Sequence, residues 1–187
     1  MRLRDFQQDF NKNFDKISGL VGSFVNDMAE QVRSPKTKRA LNSALDVVRP
    51  HFLSLGARIS VLGVHQVELV IPRKIRNQDE HGKILPGVQI SAAVEAYKLL
   101  WQRSAPEGAF QIDIQSVQAR FLNSTPGDIR LRGEIEELSR EKCWAELQKQ
   151  KRSQHQMTFH LSDLQGQVVA EVDIESVLYL KEMLDWK

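Results

Sequence analysis

With one cysteine, Cys143, the chain can form no internal disulfide. A zinc knuckle, a redox dithiol and a haem-attachment motif are excluded by the same count, since each needs more than one. The five histidines (His51, His65, His81, His155 and His160) include no HxxxH or HExxH pair, so no metal ligand set is signalled. No apolar stretch approaches the roughly 18 residues that a membrane span requires. The opening MRLRDFQQDF is too polar and acidic for a secretory signal. Charge of one sign is also lacking: a net +2 over 187 residues argues against a dedicated nucleic-acid binder, which concentrates positive charge. These absences leave a cytoplasmic protein with no nucleic-acid partner, no integral membrane association and no bound metal or redox cofactor as the expectation. There is no internal repeat and no low-complexity linker, and the length suits one domain with an appendage.

What is present is hydrophobic periodicity. Phe6, Phe10, Phe14, Ile17, Val21, Val25, Met28 and Val32 recur every three or four residues, which predicts an amphipathic helix over residues 3 to 33. Its polar face mixes Asp5, Asp9 and Asp15 with Lys12 and Lys16, unlike the Lys/Arg-rich face of a membrane-surface helix, so packing on the domain or on a partner is expected. Ser34-Pro35 restarts a second helix that runs to about Phe52. From Ala57 the period falls to two: Ile59 and Val61, then Val67, Leu69 and Ile71, alternate with polar neighbours, with a bend at Gly63. Further on, Phe110, Ile112 and Ile114 alternate, and Val117, Ala119 and Phe121 alternate in the opposite phase, so a β-bulge is expected near Ser116. A strand from Ile129, a short helix from Leu138 to Lys151 capped by Ser139, and a final hairpin turning at Asp163-Leu164-Gln165-Gly166 complete the pattern. Strands with one apolar face need a cover on that face.

The cover is in the segment RNQDEHGKILPGVQISAAVEAYKLLWQR, residues 76 to 103. A polar loop leads through Pro86-Gly87-Val88 into a helix that is apolar on nearly every side, the pattern of a buried helix. It carries one carboxylate, Glu95. Counting three, four and seven residues back from it gives Ala92, Ser91 and Val88, and four forward gives Leu99, so the acid lies on a stripe of small and apolar side chains. A buried carboxylate near a helix start with unpaired N–H donors suits carbonyl chemistry: the acid as general base or nucleophile, the N–H groups polarising the carbonyl. The bland alternatives stay open: Glu95 as an ion pair with Lys98 or a hydrogen-bond partner of Ser91, Asn77 as a loop residue bonding its own turn, Gly87 as a point of close helix–sheet packing. His81, in Asp-Glu-His-Gly, reads chiefly as part of a solvated turn and secondarily as a substitute acid–base group. Cys143 beside Trp144 reads as packing rather than nucleophile.

A buried helix on an antiparallel sheet, entered through an Asn-containing loop and a Gly, resembles the hotdog fold of the acyl-CoA thioesterase superfamily. Members similar to the phenylacetate-pathway thioesterases carry N-x-x-G-x-x-H-G-G with an acid nine positions after the His. Here Asn77 matches the Asn, Pro86-Gly87-Val88 stands where His-Gly-Gly would, and Glu95 falls at the spacing of the acid. The closing HLSDLQGQVVAEVDIESVLYL is similar to the family's last hairpin with its D-x-x-G turn, and RPHFLSLGARISVLG resembles a thioesterase-like branch of unassigned function. The resemblance covers about Val47 to Lys181. It implies an α+β hotdog domain, an antiparallel sheet wrapped on one long central helix, over residues 47–187, preceded by an N-terminal helical extension over 1–46. It further implies hydrolysis of a coenzyme A or acyl-carrier-protein thioester, with Glu95 and Asn77 as catalytic residues and Gly87 and Val88 as substrate-binding ones. The coenzyme A thioester would be substrate or ligand, and no further cofactor is implied. Hotdog subunits pair, so a homodimer or dimer of dimers with grooves between subunits is expected. The alternative on the same fold is a non-catalytic acyl-CoA or fatty-acyl binding module, or an interaction module, which the Pro and Val at two motif positions favour.

Overall fold

A computed structural model describes residues 42–43, 50–104 and 110–180. The helix expected over 3–33 and most of the second one lie outside them. Of the second, residues 42 and 43 are helical, as is α1 (Pro50–Leu55), which continues past the expected end at Phe52. Gly56 stops it: at φ 71° it adopts the left-handed conformation that only glycine takes without strain, and its N–H donates to Phe52 O at 3.0 Å.

Six strands follow: β1 (Arg58–Leu62), β2 (Gln66–Ile71), β3 (Phe110–Phe121), β4 (Ile129–Glu134), β5 (Arg152–Ser162) and β6 (Val168–Leu180). They form one antiparallel sheet in the order β1-β2-β4-β5-β6-β3. The long helix α2 (Pro86–Ser104) lies across one face, where Val67, Leu69, Ile71, Leu131, Phe159, Leu161, Val172 and Ile174 are fully buried. The other face carries Arg130, Arg132, Gln154, Gln156, His160 and Glu175, all exposed. The two-residue period therefore sorted the chain onto the two faces as expected.

The expected bulge is there: the β3–β6 register shifts between Ile114 and Ser116, which makes Gln115 the extra residue. The slip lets Ile112 and Ile114 on one side of it, and Val117 and Ala119 on the other, all pack towards the same core. The hairpin turn is built by Asp163, whose Oδ1 accepts from the backbone N–H of Gln165 and Gln167 at 2.9 Å each, with Gly166 at φ 88°.

Two expectations need correction. Helix α3 (Glu137–Gln150) begins before Ser139, with Glu136 as the flanking residue: Arg140 N–H closes the first turn on Glu136 O at 3.0 Å, so Ser139 sits inside that turn. And α2 is not buried all round. Gly87, Ser91 and Gln102 are exposed, with Val94 and Lys98 half-buried between them, while Ala92, Ala93, Ala96, Tyr97, Leu100 and Trp101 are sealed against the sheet. Apolar composition hid the stripe because a Gly, a Val and a lysine stem are tolerated at half-exposed positions.

Close packing of the sheet has one tight point. A Cβ on Gly133 of β4 would stand 2.2 Å from Phe159 Cε1 and 2.6 Å from Met157 Cε, so the Phe159 ring lies directly over bare backbone. Helix α3 extends the cover on the α2 side, burying Cys143 and Leu147 and setting Trp144 edge-on to Phe110 at 5.7 Å between ring centres.

Candidate functional site

The loop from Pro72 to Leu85 is organised around one side chain. Asn77 is fully buried; its Nδ2 donates to Leu55 O at 3.0 Å and to Pro72 O at 2.9 Å, and its Oδ1 accepts from Lys74 N–H at 2.8 Å. Its own carbonyl accepts from Leu85 N–H at 3.0 Å, and Gln78 bridges to Ile84, so the chain is returned to the start of α2. Both amide hydrogens of Asn77 are thereby committed to backbone carbonyls, and one Oδ1 lone pair is used. The tip is an Asx turn in which Asp79 Oδ1 accepts from His81 and Lys83 N–H at 2.9 Å each. These backbone bonds, Lys83's first, hold the Asp79 carboxyl below its ordinary range. His81 is exposed, with Nε2 3.5 Å from Glu80 Oε1, as a solvated turn would have it.

Pro86 opens α2 at the position where a missing N–H costs nothing. Val88 N–H donates to Leu85 O at 3.0 Å and Gln89 N–H to the same oxygen at 3.3 Å. Of the first four residues of the helix, only Gly87 keeps an N–H with no partner among the described residues. A Cβ on Gly87 would meet nothing within 4 Å, so it faces open space and close helix–sheet packing is not why it is small. Val88, named with Gly87 as a carbonyl-polarising donor, has its N–H engaged, because the first turn tightens onto Leu85. Gln89, which the sequence reading passed over, is buried; its Nε2 donates to Ile84 O at 3.0 Å, tying the first turn to the loop.

Glu95 lies two turns further on and is 6% exposed. Its stripe is mixed: Ala92 and Leu99 are buried, Val88 is half-buried and Ser91 is exposed, which puts the carboxylate at the margin between the sealed and open sides of α2. Lys98 Nζ stands 3.2 Å from Glu95 Oε1 and keeps about a third of its side chain in solvent. The pair balances the buried charge and leaves the lysine free to swing outwards.

The opposite half of the helix holds a polar cluster that no motif announced. Tyr97 OH lies 3.0 Å from His155 Nδ1 and 2.5 Å from Ser176 Oγ, joining α2 to the paired residues His155 and Ser176 of β5 and β6. Trp101 packs edge-on to His155 with ring centres 4.9 Å apart, and to Phe110 at 6.0 Å. Burial pushes Tyr97 well above the ordinary phenol range and His155 down to about 4. Its only sequence trace is Ser176 and His155 at inward positions of mostly apolar strand faces. Nearby, burial raises the Cys143 thiol, which fits packing rather than nucleophilic work.

A cavity of about 380 Å³ opens between the β3–β4 loop and the last hairpin, lined by Asn123, Thr125, Asp128, Asp163 and Gln167 among others. Its two carboxylates are employed in the fold: Asp128 Oδ1 accepts from Arg73 N–H at 2.8 Å, and Asp163 builds the turn already described.

The model of the domain of unknown function DUF4442 matches residues 37–178, three-quarters of the chain. The chain belongs to the DUF4442 family. This domain has the fold of thioesterase-like hotdog proteins. A Pseudomonas aeruginosa protein of unknown function, called a probable thioesterase, superimposes with a TM-score of 0.70 at 22% identity, over 76% of this chain and 95% of its own. A Chlorobaculum tepidum protein of unknown function gives 0.65 at 12% identity, over 79% and 97%. A Haemophilus influenzae thioesterase gives 0.59 at 13%, over 76% and 90%. No curated protein matches the chain significantly. At these identities the likeness is one of fold alone. Among the described residues no helix is long and apolar enough to cross a membrane.

Proposed function

We propose that this DUF4442 chain hydrolyses an acyl thioester, of coenzyme A or of a carrier protein, in a groove completed by a second copy. The observation that carries the reading is the pairing on one helix of a buried carboxylate, Glu95, with an exposed glycine, Gly87, whose N–H has no partner among the described residues. The thioesterase-like fold supports the same reaction class. In this scheme Gly87 N–H, at the positive end of the α2 dipole, polarises the thioester carbonyl. Glu95 activates water as general base, or attacks as nucleophile, and the thiol leaves. Asn77 contributes by holding the loop that sets the helix start, its amide hydrogens being committed there. Val88 contributes its half-buried side chain to the groove rather than an N–H.

The two groups do not reach one carbonyl within a single subunit. Eight residues at the helical rise separate them by about 12 Å along the axis, and a glutamate side chain bridges less than half of that. Juxtaposing Glu95 of one copy with Gly87 of another, across a two-fold axis, resolves the mismatch. The exposed stripe of α2 supports this, as does β3, a 12-residue edge strand whose inward row Ile112, Ile114, Val117 and Ala119 is only half-buried. The reading therefore includes a homodimer, singly or as a dimer of dimers, in the cytoplasm.

A second reading, a non-catalytic acyl-thioester binding module, is favoured by Pro86 and Val88: the first brings no N–H and the second has spent its own. Steady-state hydrolysis of acyl-CoAs of graded chain length separates the two. Wild type should turn over and Glu95→Gln should lose at least about 100-fold in kcat, the scale of a general base, with an unchanged Tm. Tight binding without turnover in wild type would establish the binding module instead.

A further inference from the structure

The loop before α2 carries a charge and an apolar group that the chemistry above does not use. Arg73, Lys74, Arg76 and Lys83 are all exposed, and none makes an ion pair among the described residues. The acids of the same loop are occupied: Asp79 by the turn, Glu80 beside His81. Amid these cations Ile75 is 90% exposed, the most exposed large apolar side chain of the described residues. Its neighbour Asn77 is pinned by three hydrogen bonds, so Ile75 is displayed from an anchored 3-10 turn (Ile75–Asn77) rather than from a slack loop.

The two guanidinium groups are laid over glycines. A Cβ on Gly56 would stand 3.0 Å from Arg76 Nη2, and one on Gly82 would stand 3.2 Å from Arg73 Nη1. Those glycines sit at different places, the end of α1 and the tip of the loop. The two guanidinium groups therefore lie over separate parts of the chain rather than converging on one point. A phosphate or nucleotide needs converging donors; separated cations in one loop with an exposed apolar knob match a protein surface with acidic groups around an apolar hollow.

We propose that this loop docks an acidic carrier protein that delivers the acyl thioester on a phosphopantetheine arm. Resting on the thioesterase reading, this selects the carrier-bound thioester over free acyl-CoA as the substrate class. Leu85 N–H donates to Asn77 O and Leu85 O accepts from Val88 N–H, which ties the 3-10 turn to the first turn of α2, so a carrier seated on Ile75 is near the helix end that would receive the arm. Spread cations also steer an acidic partner by long-range attraction, which makes association sensitive to salt.

The test uses the full-length chain with a holo acyl carrier protein, and with acyl-carrier and acyl-CoA substrates of the same chain length. Ile75→Glu and the double variant Lys74→Glu/Lys83→Glu change exposed side chains; circular dichroism and Tm check their fold. Calorimetric titration should show wild-type binding that weakens with added salt, and binding at least tenfold weaker in either variant. kcat/KM on acyl-carrier should fall by at least tenfold, while that on acyl-CoA stays within twofold. An equal fall on both substrates would overturn the proposal in favour of a contact with the pantetheine or nucleotide itself. Absence of carrier binding while acyl-CoA is hydrolysed would also overturn it. Carrier binding that depends on Ile75, with neither thioester hydrolysed, would uphold the docking surface and remove the hydrolytic reading.

Discussion

The two halves of α2 share a helix and little else. From Tyr97 onward the helix is cemented: Tyr97 and Trp101 are fully buried, Trp101 packs edge-on to His155 and Phe110, and the tyrosine hydroxyl is shared between two strands. From Pro86 to Glu95 one side stays open, with a glycine facing space, an exposed serine, and a carboxylate at the margin held by a lysine that reaches solvent. Ala92, Ala93 and Ala96 press the near half to the sheet as well, so what distinguishes it is its open side and not a lack of contact with the sheet. The far half holds side chains fixed for stability. The near half leaves backbone and charge accessible at a fixed position, which is what a site requires of its scaffold.

If that division is right, substitutions should separate stability from activity according to which half they touch. Trp101→Ala should cost most, about 3–5 kcal/mol in denaturant unfolding, through cavity formation; a loss under about 1 kcal/mol would show that the aromatic cluster does not anchor the helix. Glu95→Gln should do the reverse, removing turnover and leaving the unfolding midpoint in place, since Lys98 can return to water.

Acid should weaken the far half selectively. His155 titrates near 4 when folded against an ordinary 6.5, so the unfolded chain takes up a proton that the folded one refuses between those values. Stability contributed by neutral His155 is thus full above pH 6.5 and lost as pH falls towards 4, on the order of 2 kcal/mol for a side chain that is not fully enclosed. Urea midpoints measured from pH 7 to 4 should show that slope, and His155→Asn should flatten it. Tyr97→Phe removes the shared hydroxyl and should cost about 1–2 kcal/mol, with kcat unchanged.

The smallest effect sharpens the contrast most. Gly87→Ala should raise stability by a few tenths to about 1 kcal/mol, because alanine is the better helix former and its Cβ meets nothing. The same methyl should lower kcat/KM about tenfold by standing where a carbonyl must approach the Gly87 N–H. A gain in Tm without loss of turnover would move the polarising donor elsewhere.

Much of the fold was legible because it is written in periods. The phase slip after Ile114 gave the bulge, and Asp163 to Gly166 gave the hairpin, since both depend on residues within a few positions of each other. The cap of α3 was misplaced because Ser139 is a good cap in isolation, while the first turn was decided by the Glu136 carbonyl. For the candidate site, helix spacing singled out Glu95 and the thioesterase resemblance named Asn77 and Gly87, but neither could say how these residues are occupied. Asn77 had spent its donors on Leu55, 22 residues away, and on Pro72.

The sequence by itself determined which residues face the core, where a lone acid rides on a helix, and that a single cysteine leaves no internal disulfide to hold them. These are local or compositional facts, fixed by side-chain period and residue type. Only the tertiary structure decided that the helix keeps an open side, that Val88 N–H is taken while that of Gly87 is not, and that Tyr97, His155 and Ser176 meet. Each of those depends on groups brought together from distant parts of the chain, where burial and hydrogen-bond geometry, not spacing, set the outcome.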